Sequence, residues 1–178
     1  ASINIEKRLN TARNHSATHL LHYALRSVLG THVEQKGSLV NSKQLRFDFS
    51  HFSKVTDDQL NEIESIVIST IEKNIELNEK RNIPIAEAKT MGAMALFGEK
   101  YGDSVRVIQF ENSVELCGGI HINSTTDIGL FKITSESAVA AGIRRIEAIS
   151  GESAQQYFRD RTATLESISS ILKKPKNH

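Results

Sequence analysis

An α+β fold, a mainly antiparallel sheet packed with two long helices, is predicted by two features of the sequence. Apolar residues recur at helical spacing over two long stretches, Ala12–Leu29 and Thr56 to about Asn78. Elsewhere short stretches of strand character follow one another without the regular strand-helix alternation of a parallel sheet.

The first helix rests on Ala17, Leu20, Leu21, Ala24, Leu25 and Val28, with Gly30 placed to stop it. "LRFDFSH" alternates Leu45, Phe47 and Phe49 with Arg46, Asp48 and Ser50, so it reads as a strand with one buried face. It is expected to pair with Val33–Val40 across the turn-like "NSKQ". Thr56 and Gln59 have the spacing of a capping box, and Leu60, Ile63, Val67, Ile71 and Ile75 continue down one face of the second helix. Next come an extended "IPIAEA", a glycine-punctuated helical piece around "GAMALFGEKYGD", and the strands "SVRVIQF", "SVEL", "GLFKITSE" and "IRRIEAIS". After Gly151 a helix returns with few apolar anchors and ends in "KKPKNH", as expected of a segment that packs on something else or opens a coiled coil. The sequence has no internal repeat and no low-complexity tract.

A chain of 178 residues suits one domain and can bury a core without metals or disulfides. No apolar run approaches the roughly 18 to 20 residues of a membrane span, and the first ten residues lack a secretion-signal pattern. The single cysteine cannot form an internal disulfide. A soluble protein of the cytoplasm is therefore expected. Lys plus Arg number 22 against 21 Asp plus Glu, so a net charge of +1 excludes nucleic-acid binding driven by overall charge. Binding of that kind would need a local patch.

The chemistry concentrates in two short motifs. In "HSATH", His15 and His19 lie four apart, one turn above the other on one helical face, where two imidazoles can grip one ion. In "CGGIH", the chain's sole cysteine, Cys117, is followed four residues later by His121, and the intervening glycines let the backbone bend until thiolate and imidazole converge. Three nitrogens and one sulfur make a ligand set that favours Zn²⁺. The bland alternative is two helical histidines and a small buried hydrophobe. A metalloprotease is excluded, because the general-base Glu of H-E-x-x-H is replaced by Ser16. A zinc with four protein ligands can also be purely structural.

The blocks "HSATHLLHYALRSVLGTHVEQKGSLV", "LRFDFSH", "GAMALFGEKYGD", "VELCGGIH" and "AAGIRRIEAISG" resemble the editing domain of alanyl-tRNA synthetase and the related free-standing editing proteins, and more distantly the editing domain of threonyl-tRNA synthetase. The resemblance runs from about Asn14 to Gly151. It implies hydrolysis of the ester joining serine or glycine to the terminal adenosine of alanine tRNA, with His15, His19, Cys117 and His121 as zinc ligands. It also places Gln35 in the editing pocket, as the candidate contact to the seryl hydroxyl; by periodicity alone Gln35 reads equally as a solvated strand residue. The family form is "CGGTH", whereas here Ile120 stands at the fourth position. That exchange removes a hydroxyl and leaves the ligand spacing intact. Zinc there either activates water or anchors the substrate's amino group.

Arg144 and Arg145 are adjacent on a strand and face opposite sides, so one is expected to reach tRNA phosphates and the other to pair with a carboxylate. His22 is expected in packing or behind the ligands, Asp48 in an ion pair and Lys100 in a solvated loop, with the role of His32 open. The implied division is an editing domain over residues 1–151 and a helical segment over 152–178. No adenylate-forming motif is present, so the expected setting is a piece of a synthetase whose ATP-dependent domain and other domains are partners, alongside alanine tRNA carrying serine or glycine. A free-standing deacylase, a structural-zinc module that docks the acceptor stem, and a metal-free protein whose long helices form an interface are the alternatives.

Overall fold

The computed structural model describes residues 2–95 and 102–172. Helix α1 spans Ile5–Leu29, β1 Gln35–Val40, β2 Leu45–Ser50, α2 Asp57–Glu72, β3 Asn78–Pro84, α3 Ile85–Thr90, β4 Ser104–Phe110, β5 Ser113–Leu116, β6 Phe131–Ala140, β7 Ile143–Ser150 and α4 Gly151–Ile171, with a 3-10 turn at Thr125–Ile128. Among the described residues, β1-β2-β7-β6 form one antiparallel sheet and β3-β4-β5 a second. The α+β class is as the sequence predicts. No described helix is long and apolar enough to cross a membrane.

The main core lies between the four-stranded sheet and helices α1 and α2, with Phe47, Phe49, Leu20, Leu21, Leu25, Ile63, Val67 and Ile146 enclosed. A smaller core of Ala88, Val105, Val107, Val114 and Leu116 ties α3 to the second sheet. Helix α1 runs through the middle, and every residue from Ser16 to His22 is buried. A helix covered on several sides loses the clean one-faced stripe of a surface helix. Buried polar groups fasten it: Asn14 donates from Nδ2 to the Asn41 carbonyl (2.9 Å) and accepts from Ser150 Oγ (2.7 Å), and Ser113 Oγ donates to the His19 carbonyl (3.2 Å).

Boundaries differ from the sequence reading where tertiary contacts intervene. Helix α1 begins seven residues before Ala12, because the Asn4 side chain caps it by accepting from the Lys7 N–H at 2.8 Å. Its first turns leave Ile5 and Leu9 exposed and so carry no burial periodicity. Strand β1 starts at Gln35 instead of Val33. Helix α2 has its Thr56–Gln59 capping box but ends at Glu72, short of Asn78, where Asn74 turns the chain at φ 54°. Ile75 then donates its N–H to Thr125 Oγ1 (2.9 Å) from an extended segment, so its helix-like spacing reflects burial alone. "IPIAEA" is split: Ile83 and Pro84 close β3, and Ile85 opens α3. Half of the piece around "GAMALFGEKYGD", residues 96–101 with Lys100 among them, falls outside the described residues.

Candidate metal centre

His15 and His19 stand one turn apart on α1, facing the loop that leaves β5 at Leu116 and carries Cys117 and His121. One donor atom from each of the four lies within 4.8 Å of the others. Cys117 Sγ is 3.5 Å from His15 Nε2 and 3.3 Å from His121 Nε2. Ligands of a tetrahedral zinc, at bond lengths near 2.0 to 2.3 Å, lie about 3.3–3.7 Å apart. The spacing of the thiol to these two imidazoles fits that ion. His19 Nδ1 supports the same conclusion, being buried with no hydrogen-bond partner.

The electrostatics favour neutral imidazoles, the form that can donate a lone pair. Burial, then neighbouring His15 and Arg106, holds His121 down at about 3. Burial and the surrounding histidines push His19 well below its ordinary value. His15 is lowered chiefly by burial, against a partial upward pull from its bond to the Ile120 backbone.

The surrounding residues fix these rings. Ser16, which takes the place of a protease's glutamate, accepts from the Ile122 N–H (3.2 Å) and shares a hydrogen bond with His121 Nδ1 (3.0 Å). With Nδ1 so engaged, His121 Nε2 faces the thiol. Glu115 sits at 3.4 Å from His19 Nε2 and 3.0 Å from His22 Nδ1, all three groups being buried. His22 is thus behind the ligand set, with its ring 5.0 Å from that of Phe47. Arg106 donates to the Cys117 carbonyl (3.1 Å) and to the Gly119 carbonyl, while its Nε donates to Glu79 (2.6 Å). This guanidinium braces the loop from behind. A β-carbon on Gly119 would overlap the His15 ring, whereas one on Gly118 meets nothing within 4 Å.

A cavity of about 520 Å³ opens onto the cluster and is lined by His15, Thr18, His19, Gln35, Ser38 and the loop. Gln35, at the first position of β1, is therefore brought to the same cavity as His15, His19 and Cys117, three of the four donors predicted from the motifs. Arg144 and Arg145 are not: Arg144 makes two bonds to Glu136 (2.5 and 2.6 Å), and Arg145 makes two to Asp48 (2.7 and 2.9 Å). Both, instead of one, hold carboxylates, because each lies beside an acid on a neighbouring strand. His32 pairs with His51 at 2.9 Å on the surface. Sequence reasoning missed Ser16 as a ring support, Glu115 and Arg106. Glu115 could have been suspected from its place two residues before the cysteine, but Arg106 carries no sequence signal, since it reaches the loop only through strand pairing.

The family model of the threonyl and alanyl tRNA synthetase second additional domain matches residues 105–147. That segment contains Arg106, Glu115, Cys117 and His121, while α1 supplies the other two histidines from outside it. Over 177 residues the chain is 61% identical to the alanine-tRNA ligase of Flavobacterium psychrophilum, covering 99% of this chain and 20% of that protein. It is 62% identical over 173 residues to the alanine-tRNA ligase of Christiangramia forsetii, covering 97% and 20%, and 59% identical over 177 residues to that of Cytophaga hutchinsonii, covering 98% and 20%. The chain thus spans 20% of the length of these relatives.

Proposed function

Because the chain belongs to the family of the threonyl and alanyl tRNA synthetase second additional domain, we propose that it proofreads alanine tRNA by hydrolysing the ester of mischarged serine or glycine. The observation that carries this reading is the convergence of His15, His19, Cys117 and Gln35 on a single cavity, with the His121 ring completing the cluster of four donors. His15, His19, Cys117 and His121 would hold a zinc ion. When bound, that ion supplies Lewis-acid chemistry beside the ester.

The chain's own groups account for selection and positioning. Thr18, Gln35 and Ser38 give the cavity wall polar side chains. A site that hydrogen-bonds a substrate hydroxyl rejects the analogue lacking it far more strongly than an apolar pocket rejects an added hydroxyl. Gln35 at the mouth of β1 is the group assigned to that contact, so seryl ester is cleaved and correct alanyl ester spared. In the reaction water adds to the ester carbonyl and the bond to the ribose oxygen breaks. Amino acid and an intact tRNA 3′ end are released. Ser16 and Glu115 keep His121 and His19 oriented, and Arg106 keeps the thiol loop in place.

By the same reading, residues 1–151 form the deacylase unit, 152–178 a helical extension, and the remaining domains of a synthetase are partners in the cytoplasm. One observation favours a second reading: four protein donors are enough to close a tetrahedral site, which makes a structural zinc in a tRNA-docking module. Hydrolysis of seryl- and alanyl-tRNA by the chain and by Cys117→Ala, with the zinc content of both, separates them. The deacylase reading requires cleavage of the seryl ester, at least about a hundredfold slower in the variant as its metal is lost. Zinc bound at one equivalent, tRNA bound and neither ester cleaved would leave the docking module.

A further inference from the structure

On the far side of the Cys117 loop lies a second cavity, of about 490 Å³, and its chemistry differs from that of the first. Three arginines line it, Arg8 from α1, Arg81 from β3 and Arg106 from β4, against one carboxylate, Glu79. Arg106 is occupied by the loop carbonyls and by Glu79, and Arg81 also donates to Glu79. Glu79 is thus shared by two guanidinium groups, and Arg8 adds a further charge, leaving a net excess of two positive charges. His121, the fourth candidate donor, also stands on this wall.

Gly118 and Gly119 line both cavities. The loop stands between His15, His19 and Gln35 on one cavity and the arginines on the other, and His121 lies on the arginine side. A ligand whose reactive end lies among His15, His19 and Gln35 therefore has the arginine cavity as its neighbour across the loop. Arginine's planar fork matches phosphate oxygens, and among the described residues the wall carries no Phe, Tyr or Trp ring on which a base could stack. The cavity is built for backbone rather than for bases.

We infer that this arginine-lined cavity binds a phosphodiester of the single-stranded 3′ end of an RNA whose terminal ester occupies the metal cavity. The inference rests on the deacylase reading for the direction of the ligand. Arg8 and Arg81 make the contact, and Arg106 acts from the floor while it braces the loop.

The test uses the whole chain and an uncharged RNA hairpin with a single-stranded 3′ overhang, bound across a salt series. The double variant Arg8→Ala, Arg81→Ala leaves Arg106 in place, and Arg159→Ala on the outer face of α4 is the comparison. The double variant is expected to bind about five- to tenfold more weakly, with the slope of log K against log salt shallower by about 1.4, roughly 0.7 for each single-stranded phosphate that is no longer neutralised. Arg8→Lys with Arg81→Lys should restore the slope, since lysine keeps the charge. Affinity and slope equal to those of the unaltered chain, or no salt-dependent binding by the unaltered chain, overturns the inference. So does loss of inorganic phosphate binding with RNA binding intact, which would leave a free-anion site. Hydrolysis of the serine-charged hairpin, followed in parallel, keeps the two readings apart. Weakened binding with no cleavage by any protein retires the deacylase and keeps the subsite; cleavage with unchanged KM and slope does the reverse.

Discussion

Gly119 shows how much a single residue decides in the Cys117 loop. Its φ is unremarkable, so backbone freedom is not what requires glycine there. The requirement is space, because the His15 ring lies where a β-carbon would be. Gly119→Ala is expected to displace that ring and lower zinc affinity about ten- to a hundredfold, measured by metal stoichiometry and competition with a chelator. Gly118→Ala, which adds its methyl to open space, should bind zinc as the parent does. The "CGG" of the motif therefore contains one glycine needed for packing against α1 and one that is not, a difference visible only with the helix in place. Ile120, where the family form has threonine, packs against the main core and lines the arginine cavity. Its side chain lies on the far side of the loop from the proposed substrate cavity.

At the scale of elements, the site is a junction between α1 and the second sheet. Glu79 on β3 and Arg106 on β4 lock that sheet to the loop, and hydrogen bonds from Arg81 and then Arg106 hold the Glu79 carboxyl at about 2, below its ordinary 4.5. A carboxyl lowered on folding stabilises the protein above its unfolded value, and the contribution is lost as pH falls toward the folded value. Urea unfolding of the chain and of Glu79→Gln should therefore differ most at neutral pH, and the gap should close between about pH 4.5 and 2. The elements themselves were largely legible. Strong alternation in β2, β4 and β7 and the capping box of α2 stated their own structure. The failures came where burial imitated periodicity, as at Ile75, or where a cap replaced it, as at Asn4.

Across the whole molecule, stability and exposure are divided unevenly. Phe47 is completely buried between α1 and the four-stranded sheet, whereas α4 buries only Gly151 and Ala154 and leaves Leu165 and Ile168 in solvent. Phe47→Ala should cost about 3–5 kcal/mol of unfolding free energy, and Leu165→Glu with Ile168→Glu should change it by no more than about 0.5 kcal/mol each. Denaturant titration of the three proteins checks both. The sequence by itself determined the fold class, most strands and the four candidate ligands, because spacing along a helix and across a tight turn is local geometry. It could not determine that Arg144 and Arg145 both hold carboxylates, that Ser16, Glu115 and Arg106 support the four candidate donors, or that two cavities share one loop. Those facts depend on which strands pair and on a helix running through the centre of the molecule, and such contacts between distant residues are set only when the whole chain packs.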